Sequence, residues 1–192
     1  MALSKLVSKK VEAETVLGVD ASTNSFAFCL YGKNGPIKWG EIHFKGDNVF
    51  ERLAYGQRNI AAMKDHLKAD IVIFESAIYV QNKKTVILLA YAFGAVISAL
   101  INNGAKIEEV SPLGWQNYIG KKPLNKAEKE SIKKDFPNKS TSWYSNKNRE
   151  TRKARTMQWA EDEFGIKVDS DNVSDAIGVA HYGFKKYVLT DD

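Results

Sequence analysis

The chain is poor in the residues that staple small folds or ligate soft metals. It has one cysteine, Cys29, and three histidines in 192 residues. A lone thiol excludes an internal disulfide and any zinc site built on several cysteines. Cys29 lies in an apolar run, where it reads as a small buried hydrophobe rather than a nucleophile. His43, His66 and His181 are scattered and read as structural or surface residues. Only His181 follows the last acidic motif closely enough to support it from behind. No stretch reads as a membrane span. Lys5, Lys9 and Lys10 are not followed by the apolar core of a secretory signal. These absences predict one globular domain over residues 1–192, in a reducing cytoplasm and with no membrane partner.

What the chain does have is unevenly placed charge. The net charge is +5, yet residues 121–155 hold twelve Lys or Arg and four Asp or Glu, so that segment is +8 and the remainder −3. A basic segment on a mildly acidic body is the electrostatic footprint of a nucleic-acid binder, and also the composition of a solvated lysine-rich loop. Pro123, Pro137 and the polar run from Asn138 to Asn148 predict a basic insert over 121–150, a loop around one short helix at Lys126–Asp135. Phe136, Trp143 and Tyr144 are interleaved with the charge, a pattern that grips phosphates and stacks on unpaired bases.

The remaining pattern alternates. Apolar strands at Val16–Ala21 and Phe26–Tyr31 flank a Ser/Thr/Asn turn, and Gly32-Lys33-Asn34-Gly35 leads into a third strand over Ile37–Phe44. Helical spacing follows from Val49 to Leu67, then a strand at Asp70–Glu75, a long apolar helix at Lys84–Asn102 and a strand at Lys106–Val110. Ser111-Pro112 opens a short helix, Arg149–Phe164 forms another, and Ala176–Tyr187 the last. The order predicts an α/β fold: a mixed five-stranded sheet, three antiparallel strands first, flanked by helices.

Three acids occupy special places. Asp20 lies inside an apolar strand, where an ionised carboxylate must meet a cation, a donor or a metal; as a turn residue it would instead accept N–H bonds from residues 22–25. Glu75 closes the fourth strand, where it could also be simply solvated. Asp175 opens the last helix, and Asp171 four residues earlier shares its face; both acids also suit a helix start. Carboxylates gathered from these elements repel unless hard divalent cations neutralise them, and oxygen ligation suits Mg²⁺ or Mn²⁺. Two such ions are the standard device for phosphodiester hydrolysis.

Val16-Leu17-Gly18-Val19-Asp20, Phe74-Glu75 with Asn82 and the Leu88–Ala95 helix, and Asp171–Ala180 together resemble the motifs of the RuvC-type Holliday junction resolvases, which have an RNase H-like fold. The likeness covers about residues 15–120 and 149–187. It implies a homodimeric, Mg²⁺-dependent endonuclease that holds two ions per site and cuts four-way junctions and other branched DNA, leaving 5′-phosphate nicks, with Mn²⁺ as a substitute. By match, Asp20, Glu75 and Asp175 are metal ligands and catalytic residues. The family carries Asp or His three residues before the last Asp; here that residue is Asn172, and Asp171 is taken as the fourth ligand. Where the family has a lysine after strand five, this chain has Trp115, leaving Lys121, Lys122 or Lys153 as substitutes. The family's junction-wedging aromatic falls at Ile78, beside Tyr79. The implied DNA contacts are Tyr79, Asn82, Lys121, Lys122, Arg149, Arg152, Lys153 and Arg155. These departures and the insert point to a divergent, phage-encoded member acting in host cytoplasm.

Other readings share parts of this pattern. A ribonuclease H or transposase core would keep the carboxylates but not the Glu75–Gly94 pattern. A non-catalytic branched-DNA-binding module would need no gathered acids. A sugar kinase or actin-like ATPase is disfavoured because Asp20–Asn24 lacks glycine and the chain is too short for two lobes.

Overall fold

β1 (Thr15–Ala21) is the central strand of the sheet and is buried on both faces. The computed structural model describes residues 12–76, 82–101, 104–121 and 123–188. β1 pairs antiparallel with β2 (Ser25–Gly32), which pairs antiparallel with β3 (Gly35–His43). On its other side β1 runs parallel to β4 (Ile71–Glu75), and β4 runs parallel to β5 (Lys106–Val110). The sheet order is β3-β2-β1-β4-β5, the predicted mixed sheet with its antiparallel meander first.

Strand alternation sends successive β1 side chains to two separate cores. Leu17 and Val19 face α1 (Val49–Ala62) and α2 (Lys83–Leu100), with Phe26, Phe28, Val72, Phe74, Ala92 and Val96. Val16 faces α6 (Asp171–Tyr187), with Ile73, Trp115, Ala176, Ile177 and Ala180. Gly18 also points at α6. A Cβ there would stand 2.5 Å from both Ala176 O and Ala180 N, so the missing side chain is what allows α6 to rest directly on β1. Trp115, on α3 (Pro112–Tyr118), fits against Gly178 of α6 in the same way.

Three expectations need correction. First, residues 121–150 are not a loop around one helix. α4 (Lys126–Asp135) is followed by α5 (Thr141–Phe164), a single helix of 24 residues that begins eight positions before the predicted Arg149. Local caps account for both starts. Asn125 and Glu128 form a reciprocal capping box, and Ser140 Oγ accepts from Trp143 N at 3.2 Å. Second, α6 begins at Asp171, capped by Ser170, rather than at Ala176. Third, α2 is long and apolar enough, by length and composition, to cross a membrane. In the fold it buries Ala92, Val96, Ala99 and Leu100 against the sheet and leaves Val86, Ile87 and Tyr91 exposed.

Candidate active site

Parallel pairing brings the first two acids together. Val19 lies opposite Phe74, so Asp20 and Glu75, each one residue further on, sit side by side at the same end of adjacent strands. Asp20 is two residues after Gly18 and shares its face, which is the face that carries α6. The close approach at Gly18 sets the first turns of α6, and with them Asp175, over these strand ends. The three carboxylates line one cleft of about 390 Å³ with Ser22, Ser25, Asn172, Arg149 and Lys153.

Each acid is held differently. Glu75 Oε2 accepts from the Trp115 indole N–H at 2.7 Å. Burial raises the Glu75 pKa above the usual carboxylate range; the Trp115 bond and Lys121 oppose that rise, and Asp175 adds to it. Asp175 Oδ1 accepts from Lys121 Nζ at 2.9 Å, and that buried ammonium also lies over the Trp115 ring. Among the described residues Asp20 has no ion pair. Burial first, then Asp175 and Glu75, push its pKa up to about 7. Lys153 is ion-paired with Asp171, and burial, with Arg149 beside it, lowers its own pKa.

The predicted site residues therefore divide. Asp20, Glu75, Asp175, Arg149 and Lys153 meet at the cleft. Asp171 turns to Lys153, and Asn172 takes the place at the cleft wall. Lys121 stands behind Asp175. Arg152 lines a neighbouring hollow together with Arg149, Pro123 and Leu124. Arg155 pairs with Glu128 of α4. Asn82 is the cap of α2, its Oδ1 accepting from Lys84 N and Thr85 N. Tyr79, Lys122 and the wedge position Ile78 lie outside the described residues. His181 is away from the cleft: Tyr31 Oη and His181 Nδ1 are 2.6 Å apart in a cluster with Trp159 and Phe164. Phe136, Trp143 and Tyr144 pack on one another, with Lys139 over Trp143 and Lys147 over Phe136.

One residue at the site was not anticipated. Glu41 of β3 reaches toward the start of α6, where Ser170 Oγ donates to it at 2.5 Å and Asn172 Nδ2 at 2.7 Å. Burial alone would raise its pKa; donation from Ser170, Asn172 and Ser25, with His43 nearby, instead holds it below the usual carboxylate range. The only local signal was an acid inside a strand. Its partners Ser170 and Asn172 are about 130 residues away in the chain.

No three His, Cys, Asp or Glu side chains among the described residues form a ready-made metal cluster. The donor set still fits a hard divalent ion. It offers three carboxylates, an amide and hydroxyls, and the mutual repulsion that pushes up Asp20 is what a cation would relieve.

No family model matches the chain. A crossover junction endodeoxyribonuclease RuvC from Aliarcobacter butzleri is 28% identical over 102 residues, which is 51% of this chain and 66% of that relative, just under two thirds of its length. Among solved structures, T. thermophilus RuvC in complex with a Holliday junction substrate superposes with a TM-score of 0.62 at 12% identity, covering 90% of this chain and 95% of that one. A yeast mitochondrial Holliday junction resolvase gives 0.50 at 11% identity, covering 93% and 80%. The fold is the RNase H-like fold, and the chain resembles RuvC-type resolvases in sequence and architecture alike.

Proposed function

We propose that this chain, a divergent relative of the RuvC-type resolvases, is a metal-dependent endonuclease that cuts four-way junctions and related branched DNA. The observation that carries the reading is the meeting of Asp20, Glu75 and Asp175 at one cleft whose rim carries Arg149 and Lys153. Acids at the floor and cations at the rim fit a polyanionic backbone brought to a divalent-ion site. A pure DNA-binding surface has no use for the acids, which would repel phosphate.

Asp20, Glu75 and Asp175 would hold Mg²⁺, or Mn²⁺ in its place, with Asn172 beside them. A pair of such ions held there would supply water activation and charge neutralisation at the leaving oxygen. The chain's own residues do the rest. Trp115 fixes one Glu75 oxygen and leaves the other for the cleft. Lys121 orients Asp175 from behind. Arg149 and Lys153 receive phosphate, and the α4–α5 hairpin, basic along its length, extends that contact along a DNA arm. The aromatics of the hairpin pack on one another and shape this arm-holding surface, with Phe136 left exposed on it. Two sites are needed for paired nicks. A second copy of the chain on the exposed apolar face of α2, where Tyr91 also packs on Phe50, supplies the second.

The test is a nicking assay on a labelled four-way junction and a matched linear duplex, with Mg²⁺ or EDTA. Paired, metal-dependent cuts confined to the junction, lost in Asp20→Asn and Asp175→Asn while binding survives, are the expected result. Tight junction binding without cleavage in Mg²⁺ or Mn²⁺ would leave a DNA-binding module built on a nuclease fold.

A further inference from the structure

The wall of the cleft facing Asp20 is held by a carboxylate that does not itself line it. Glu41 projects from β3 with its side chain only 7% exposed, and it accepts from Ser170 Oγ through one oxygen and from Asn172 Nδ2 through the other. Asn172 Nδ2 also lies 3.4 Å from Ser25 Oγ. A carboxylate can only accept, so it dictates which end of the amide it meets: the NH₂ must turn to Glu41. The carbonyl Oδ1 is then left on the side of the cleft, which Asn172 and Ser25 line together with Asp20, Glu75 and Asp175.

We propose that Glu41 is a positioning residue: it locks the Asn172 amide so that a neutral carbonyl oxygen, in place of a fourth carboxylate, faces the Asp20–Glu75–Asp175 group. The pairing accounts for an amide at residue 172. An acid there would stand 2.7 Å from Glu41, two acceptors with no proton between them. Asn172 and the β3 acid are one device: the negative charge stands on the strand behind the cleft, and the amide stands at its wall. The cleft keeps an oxygen donor while its inner wall carries one negative charge fewer. This inference rests on the divalent-ion reading of the cleft.

The test is Mn²⁺ binding, followed by the electron paramagnetic resonance signal of the free ion, with the metal-free melting temperature of each variant as the fold check. Glu41→Met keeps the length of the side chain and removes the acceptor. It and Asn172→Ala are each expected to weaken Mn²⁺ binding by about 10–100-fold, the usual effect of losing a partner that orients a ligand. The double variant is expected to be no worse than Asn172→Ala alone, because Glu41 acts through that amide. Glu41→Gln keeps one acceptor but can also turn its NH₂ to residue 172, so the lock is only half kept and its Mn²⁺ affinity is expected to fall between wild type and Glu41→Met. As a second route that spares β3, Asn172→Asp should lower the metal-free melting temperature, and Glu41→Gln in the same chain should restore it. Unchanged Mn²⁺ affinity in Glu41→Met or Asn172→Ala, or additive losses in the double variant, overturns the inference alone. A wild-type protein that takes up no Mn²⁺ overturns the metal reading and this inference together.

Discussion

Trp115 donates its indole N–H to Glu75 Oε2, so the fully buried ring that fills the core beneath the cleft also grips one of the cleft's acids. Packing and site geometry are coupled through that bond. Trp115→Phe keeps most of the volume and removes the donor. Losing the partner of a partly buried carboxylate costs about 1–3 kcal/mol, and cleavage should fall as Glu75 is released. Denaturant midpoints and junction nicking measured on the same preparation check both effects. Unchanged nicking would mean that Glu75 needs no such anchor.

Asp20 sets a pH dependence. Its folded pKa, about 7, lies above the ordinary value of 3.8, so between those limits the native state binds more protons than the unfolded state. The metal-free protein should therefore lose stability as pH rises from about 4 to 7. Asp20→Asn should flatten that slope and raise the metal-free melting temperature at pH 7, by about 2–4 °C for each kcal/mol relieved. Mg²⁺ competes with the same proton, so its affinity should rise over this range. Thermal melts across pH, with and without Mg²⁺, decide it.

Gly18 admits α6. The Cβ of Gly18→Ala would meet backbone on two sides at 2.5 Å, and neither contact can yield by a rotamer change. Displacement of α6 should cost about 1–3 kcal/mol or more and carry Asp175 away from Asp20. Calorimetry and nicking should decline together. An alanine variant of full activity would show that α6 is free to shift.

Arg149 and Arg152 should act through phosphate. Replacing both with glutamine is expected to weaken junction binding and reduce the slope of log affinity against log salt by about 2. Fluorescence anisotropy across a salt series measures this. An unaltered slope would place the DNA elsewhere.

The outer face of α2 should govern assembly. Ile87→Glu with Tyr91→Glu is expected to shift sedimentation toward the monomer while the chain stays folded by circular dichroism, since both side chains are exposed. Native sedimentation as a monomer would remove the dimer from the proposal.

The sheet was legible in the sequence because its signals are local. Short apolar runs, the Gly32–Gly35 turn and the Ser111-Pro112 helix start each announce themselves within a few residues. Asp20 and Glu75 could be seen because each interrupts or closes an apolar strand. The start of α5 was hidden because its first half is polar almost all round, which erases helical periodicity; Ser140, three residues before Trp143, was the cap to notice. Glu41 and the Trp115–Glu75 bond were beyond reach for another reason. Their partners arrive only when α6 and α3 close over the sheet, and no spacing within one element encodes that contact.

α5 runs without a break from exposed residues beside the α4 turn, past Lys153 at the cleft, to Ala160 in the core. At 24 residues it is a rod of about 36 Å. On the proposed function, a duplex resting on its outer end would press on a lever whose fulcrum is the core and whose midpoint carries the Lys153 ammonium. How far along the arm the DNA is gripped and how deeply its backbone enters the cleft would then become a single mechanical quantity. The hairpin would serve as a ruler as well as a handle.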